Sequence, residues 1–249
     1  MQRPIGALAA VLYGLAAGVA LLATLLYAIG FLSNVGLPRG IDGAPRGAFE
    51  TSLAIDLALL AVFGLQHSVM ARPGFKRLWT TVVPAAVERS TYVLASSAAL
   101  TLLVWQWRPL GGIVWDVQDD WARTLLRGMS MTGWAIVLVS ATLIDGLELV
   151  GLRQVLAYWR GAAPRPARFA TPGFYRFVRH PLYLGFLLAL WPAPVMSMTH
   201  LVLAAAATAY ILLGIQLEER DLARVHPEYR EYRRRVPMLL PRLGRGRGR

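Results

Sequence analysis

Residues 182–217 read LYLGFLLALWPAPVMSMTHLVLAAAATAYILLGIQL, a predominantly apolar run of 36 residues interrupted at Trp191-Pro192-Ala193-Pro194. One helical crossing of a bilayer uses about 20 apolar residues to span ~30 Å of hydrocarbon, so this run is long enough for two. Prolines cannot continue a helical hydrogen-bond ladder, which predicts a turn or kink between Trp191 and Thr199. The first arm is short, and either re-entry or strong tilt would accommodate it. Two polar clusters bracket the run: Arg179-His180-Pro181 with Tyr183 before it, and Glu218-Glu219-Arg220-Asp221 after it. A hairpin brings such bracketing groups to one place.

The rest of the chain agrees with a membrane protein. Of 249 residues, 56% are hydrophobic and 16% charged, and the mean hydropathy is +0.47, which excludes an ordinary soluble domain. Further spans are expected at Leu8–Leu32, Leu53–Val69, Thr91–Trp107 and Met129–Val150, giving an all-α, polytopic helical bundle with five to six spans, a C-terminal helical hairpin and a short cytoplasmic C-terminal helix. The N-terminal apolar run is too long for the core of a cleaved signal peptide, so it reads as a span that stays. The sequence contains no cysteine, which removes disulfides, thiolate metal ligands and cysteine nucleophiles. No metal site is expected.

Basic residues set the expected orientation, because short cytoplasmic loops are enriched in them. Twenty-six Lys and Arg against 14 acids give a net charge of +12. Arg3, then Arg72, Lys76, Arg77 and Arg89, then the arginines of 153–179 and 220–249, fall on the side of the N-terminus. Both termini are therefore expected in the cytoplasm of a bacterial-type inner membrane. The excess points to anionic lipid head groups as partners and not to nucleic acid; no feature specifies an oligomeric state. Trp105, Trp107, Trp115, Trp121 and Trp134 gather on the outer side as an interfacial belt.

On this topology, His67, Asp145, Glu148, Arg179, His180, Glu218 and Glu219 all lie at the cytoplasmic ends of spans. Ionisable groups there are costly unless paired or facing a cavity, so their gathering marks a candidate site facing the cytoplasm. Each also has a structural reading: His67 as an interfacial residue, Asp145 and Glu148 as ion-pair partners of Arg153, and Arg179 as a snorkelling arginine.

The segment Thr171-Pro172-Gly173-Phe174-Tyr175-Arg176-Phe177-Val178-Arg179-His180-Pro181-Leu182-Tyr183-Leu184-Gly185, followed by Glu218-Glu219 and by Tyr229-Arg230-Glu231-Tyr232-Arg233-Arg234-Arg235-Val236-Pro237, resembles the isoprenylcysteine carboxyl methyltransferase superfamily. Within it, Gln66-His67-Ser68, Glu88-Arg89-Ser90-Thr91-Tyr92, Trp105-Gln106-Trp107-Arg108-Pro109 and Glu148-Leu149-Val150-Gly151 are similar to the bacterial methanethiol S-methyltransferases. One departure is Val225-His226-Pro227-Glu228-Tyr229, where Phe-Gly commonly precedes the first tyrosine.

The resemblance implies a membrane-embedded enzyme that uses S-adenosylmethionine to methylate a small thiol, converting methanethiol to dimethyl sulfide. It divides the chain into an N-terminal bundle on the substrate side (1–160), a cofactor-binding core (161–241) and a basic tail (242–249). The cofactor asks for a cation at its carboxylate, an acceptor at its ribose and an apolar wall at its adenine. Arg179 or His180, Glu218 or Glu219, and Tyr183 with Tyr229 or Tyr232 supply that set, and Gly185 would permit close approach. His67 and Glu148, ahead of Asp145, are candidates to take the thiol proton. Methylation of an isoprenylcysteine carboxylate or a phospholipid amine, or NADPH-dependent reduction of the sterol reductase type, are the competing expectations.

Overall fold

The computed structural model describes residues 6–162 and 169–241. The expected basic tail at 242–249 lies outside them. The chain forms two compact units, one drawn from Met1–Gly112 and Asp145–Pro166, the other from Ile113–Ile144 and Ala167–Arg249.

In the first unit, α1 (Ala7–Ser33), α2 (Phe49–Met70) and α4 (Glu88–Gln106) fall on expected spans, and the short α3 (Pro73–Trp79) and α6 (Leu152–Trp159) lie between them and after them. Helix α4 packs against both α1 and α2, and α6 packs against α1. The residue sizes on α1 explain this arrangement. Ala10, Gly14 and Ala17 face inward and are buried, whereas Leu8, Leu12, Leu15, Val19, Leu22 and Leu26 are exposed on the opposite face. In a bilayer large apolar side chains gain nothing by leaving lipid, so small residues occupy helix contacts and let backbones approach. A Cβ on Gly14 would lie 2.9 Å from Val155 Cγ2 of α6. Hydroxyls complete the seam: Thr24 meets Thr101 at 3.0 Å and Tyr13 meets Thr91 at 3.1 Å.

Helices α1, α2, α8 and the Asp120–Leu143 part of α5 are each long and apolar enough to cross a membrane. The segment expected to cross at Thr91–Trp107 forms the 19-residue α4, which is not among these four. With Glu88 and Arg89 in its first turn and Ser90 and Ser97 buried, it is more polar than its neighbours. The protein is a polytopic helical membrane protein.

The second unit is built on the part of α5 (Asp120–Leu149, interrupted at Asp145) that precedes Asp145, with α7 (Pro181–Leu190), α8 (Met198–Val225), α9 (Glu228–Arg235) and a 3-10 turn at Gly173–Arg176. The turn expected after Trp191 is there, but part of it is extended. Val195–Ser197 (β2) pairs antiparallel with Ile113–Asp116 (β1), a two-stranded ribbon with its register broken between Ile113 and Trp115. Lengths explain the ribbon. From Met198 to Glu218, α8 rises about 30 Å, whereas the ten residues of α7 supply only about 15 Å. The extended residues after Leu190, at about 3.3 Å each, make up the difference. Their backbone groups then need partners outside a helix. The ribbon provides them, aided by Val117 N–H donating to the Pro194 carbonyl at 3.0 Å and Trp115 Nε1 to that of Ala193 at 2.9 Å. At the turn, Ser197 caps α8 by accepting from His200 N, and His200 Nε2 lies 2.8 Å from the Leu190 carbonyl at the end of α7.

Helices α5 and α7 touch at two glycines. A Cβ on Gly185 would lie 2.9 Å from the Gly133 carbonyl and 2.9 Å from Val137 N, and one on Gly133 would lie 2.4 Å from Ala189 N. Ser130 donates across the same seam to the Ala189 carbonyl at 2.8 Å, and Trp134 packs edge-on against Phe186. Trp107 and Trp134 are buried, while Trp105 and Trp121 are 61% and 73% exposed, so the expected belt divides into packing and interfacial residues. Gly185→Ala should lower the apparent melting temperature in detergent by about 5 °C, the cost of overpacking a backbone contact. Gly214→Ala, whose Cβ would have only the Tyr183 hydroxyl at 3.9 Å, should leave it unchanged.

Candidate active site

Two polar clusters stand out, one in each unit. In the second unit the organising group is Glu219, on the last turns of α8 and 5% exposed. Its Oε1 accepts from Arg179 Nε at 2.7 Å and lies 3.1 Å from His180 Nε2, and its Oε2 lies 3.1 Å from Arg233 Nε of α9. Arg179 also donates through Nη1 to the carbonyls of Val236 at 2.6 Å and Arg233 at 3.0 Å, the C-terminal end of α9. The backbone closes the same joint, with Arg179 N donating to Pro237 O and His180 N to Met238 O. Pro181 follows at the first turn of α7, where its missing N–H leaves no helical bond unmade. The hairpin and the chain beyond it thus meet at one carboxylate.

Neighbouring Glu218 differs in its surroundings. Its side chain is 45% exposed, and its Oε2 accepts from the Tyr183 hydroxyl at 3.1 Å and lies 3.9 Å from His180 Nδ1. His180 is 5% exposed and tilts against the Tyr183 ring at 5.5 Å between centroids. Glu219 is committed on both oxygens. Glu218 retains Oε1 for a further donor.

Tyr229 and Tyr232 lie beneath this edge. Their rings and that of Phe169 form a triangle with centroids 5.4–5.9 Å apart, and Tyr232 donates to the Tyr175 carbonyl at 2.6 Å. Phe169 also faces His226 at 5.8 Å, which gives that residue of the atypical tail turn a packing role. Burial pushes the Tyr232 phenol up to about 12, with the Glu219 carboxylate adding to the shift and the Arg179 guanidinium opposing it. Burial likewise raises Tyr175 and Tyr229, which feel the Glu218 and Glu219 carboxylates respectively. Gly185 stands apart from this edge, its missing Cβ already used by α5.

In the first unit, His67 is near the end of α2, stacked on Phe63 at 5.5 Å. The Tyr92 hydroxyl is 3.0 Å from its Nδ1 and 3.1 Å from its Nε2, and Ser96 Oγ is 3.3 Å from Nδ1. Gln66 Nε2 donates to the same serine at 3.3 Å. Arg89 lies over the Tyr92 ring at 4.8 Å and donates to the Leu149 carbonyl at 3.2 Å. Asp145 interrupts α5, accepts from Glu148 N at 3.1 Å as a cap, and forms an ion pair with Arg153. That is its structural reading realised. The Glu148 carboxylate has no such partner among the described residues. Tyr92 and Ser96 were missed as members of this cluster; their i, i+4 spacing on α4 is the signal that points both at one neighbour.

The raised phenols make a pH statement. Neutral Tyr232 is favoured in the folded protein, so its contribution is fully present below its unfolded value of about 10 and is lost as pH rises through about 12. Thermal unfolding followed from pH 8 to 12 should show stability falling only above about pH 10, and Tyr232→Phe should flatten that alkaline limb.

A family profile described as a protein of unknown function (DUF1295) matches residues 110–236. Methanethiol S-methyltransferase of Crocosphaera subtropica is 47% identical over 94% of this chain and 92% of its own. The protein of that name from Mycobacterium tuberculosis is 48% identical over 93% of this chain and 95% of its own, and methanethiol S-methyltransferase 2 of Bradyrhizobium diazoefficiens is 49% identical over 95% and 91%. With 47–49% identity over more than nine-tenths of both sequences, this chain belongs to the methanethiol S-methyltransferase family.

Proposed function

We propose that this protein is a membrane-embedded methyltransferase that uses S-adenosylmethionine to convert a small thiol, methanethiol, to its methyl sulfide, with both termini and the reacting groups on the cytoplasmic side. The names of its relatives support the reaction. The observation that carries the residue assignment is the division of labour between adjacent carboxylates: Glu219 fully engaged by Arg179, His180 and Arg233, and Glu218 half exposed with an oxygen to spare.

The residues suit the cofactor. Glu218 is the acceptor for ribose hydroxyls, with Tyr183 fixing its rotamer and His180 beside it. Arg179 is a positioning residue, because its Nε and Nη1 donors are engaged by Glu219 and by the end of α9. The more exposed Arg233, at 57%, is the better cation for the cofactor's carboxylate. The aromatic triangle of Phe169, Tyr229 and Tyr232 supplies an apolar wall. When bound, S-adenosylmethionine supplies a methyl group on a cationic sulfur, so that one C–S bond forms in line as the other breaks and the electron pair stays with the departing thioether.

Thiol activation falls to the first unit. The thiolate is the reactive form, and an alkyl thiol is mainly protonated near neutral pH, by analogy with cysteine at about 8.5. His67 is the proton acceptor, with Tyr92 and Ser96 fixing its ring. Glu148 is the second candidate, and Asp145 is spent on Arg153. Methanethiol and its product are small and apolar, and both can enter and leave through lipid.

Headspace measurement of dimethyl sulfide from cells or proteoliposomes tests the reaction. Folded protein that yields none with both substrates, or that binds NADPH in preference to S-adenosylmethionine, would overturn it. Glu218→Gln should weaken cofactor binding by about tenfold, worth ~1.4 kcal/mol, with stability unchanged. Arg179→Ala should lower stability as well, since it leaves a buried carboxylate short of a partner. His67→Ala should lower kcat by about 10²-fold or more at pH 7, with a deficit that narrows as pH rises and the thiol ionises unaided.

A further inference from the structure

A cavity of about 300 Å³ opens at the end of the first unit where α1 and α4 finish and α2 begins, away from His67. Arg39, Arg46 and Arg108 line it, together with Trp105, Gln106 and Trp107. A second cavity of about 260 Å³ shares Arg39, Arg46, Trp105 and Trp107. No acidic side chain lines either one. Like charges gathered at one concave surface repel unless an anion joins them.

A second observation is independent of charge. Trp107 is 4% exposed, and its indole N–H has no hydrogen-bond partner. Buried indole donors ordinarily find an acceptor, and this one belongs to a ring that lines the cavity. The lining therefore offers three guanidinium groups and the Gln106 amide, with the buried, unpartnered indole N–H in the Trp107 wall.

The surroundings hold these donors in place. The α1–α2 loop folds back on the end of α1, with Ile41 fully buried and its N–H donating to the Phe31 carbonyl at 3.0 Å. Asn34 caps α1 in the left-handed region, and its amide donates to Asp42 Oδ2 at 2.6 Å, which engages the loop's own carboxylate. Beneath the cavity, Asp56 Oδ1 accepts from the Arg108 backbone N–H at 2.9 Å. This fixes the chain that presents Arg108, whose guanidinium lines the cavity within electrostatic reach of the Asp56 carboxylate.

We infer that this cavity is a binding site for a phosphate group. Guanidinium groups match phosphate oxygens with paired N–H donors, and several lining one cavity suit an anion with three or four acceptor oxygens better than a carboxylate with two. The site lies where the apolar helices α1 and α2 meet the end of α4, beside the exposed Trp105, at the level of lipid head groups. The phosphate can come from a phospholipid or from free phosphate in solution.

Full-length protein stripped of lipid in phosphate-free detergent tests both sources, with phosphatidylglycerol titrated by native mass spectrometry and inorganic phosphate by calorimetry. We expect saturable binding in at least one titration, weakened tenfold or more by R39Q/R46Q and about threefold by W107F. Phosphatidylglycerol binding alone assigns the lipid, and binding of inorganic phosphate assigns the free ion. Saturable binding in neither titration, or equal binding by wild type and R39Q/R46Q, overturns the inference. Should R39Q/R46Q fail to fold, W107F decides, because it keeps an aromatic ring and removes the orphan donor; unchanged affinity then overturns it.

Discussion

A carboxylate taken out of water is tolerated only with its charge matched and its oxygens occupied, and the C-terminal third of this protein is organised around one such group. Glu219 joins the start of α7, the end of α8 and the body of α9 through Arg179, His180 and Arg233. Helix α9 depends on it most. An eight-residue helix of sequence EYREYRRR has neither the length nor the apolar surface to persist alone. Arg179 supplies what it lacks, donating to the Glu219 carboxylate on one side and to the carbonyls at the end of α9 on the other. The aromatic triangle can then sit under the polar edge that Glu218 and Tyr183 present.

The two units use opposite materials. The first is assembled from small residues facing inward and large ones facing lipid, with clusters of polar side chains between its helices. His67, Tyr92, Ser96 and Gln66 form one such cluster. The second unit binds its parts by charge at one end of its hairpin and by a backbone ribbon at the other.

Much of this was readable in the sequence, and what was not has physical reasons. The span at Leu8–Leu32 and the turn after Trp191 follow from hydropathy and proline, which act locally. The bracketing clusters at 179–183 and 218–219 could be paired because a hairpin leaves them no other arrangement. Which of two adjacent glutamates would be buried was not legible, since one helical residue step of about 100° decides it and both carry the same charge. The ribbon was invisible for another reason: Ile113–Asp116 is four residues long and meaningful only beside its distant partner. Gly185 was read as room for a ligand, and α5 occupies that room. A glycine in an apolar helix says that something comes close without saying what.

The half-length of α7 bears on how the protein is made. A ten-residue helix followed by an extended segment cannot enter a bilayer as a self-sufficient unit, because the extended residues carry backbone groups that lipid cannot satisfy. Their partners, β1 and Val117, lie about 80 residues earlier in the chain and have already left the ribosome when α7 emerges. The order of the segments along the sequence is therefore also an order of assembly, in which each incomplete arm arrives after the surface that completes it.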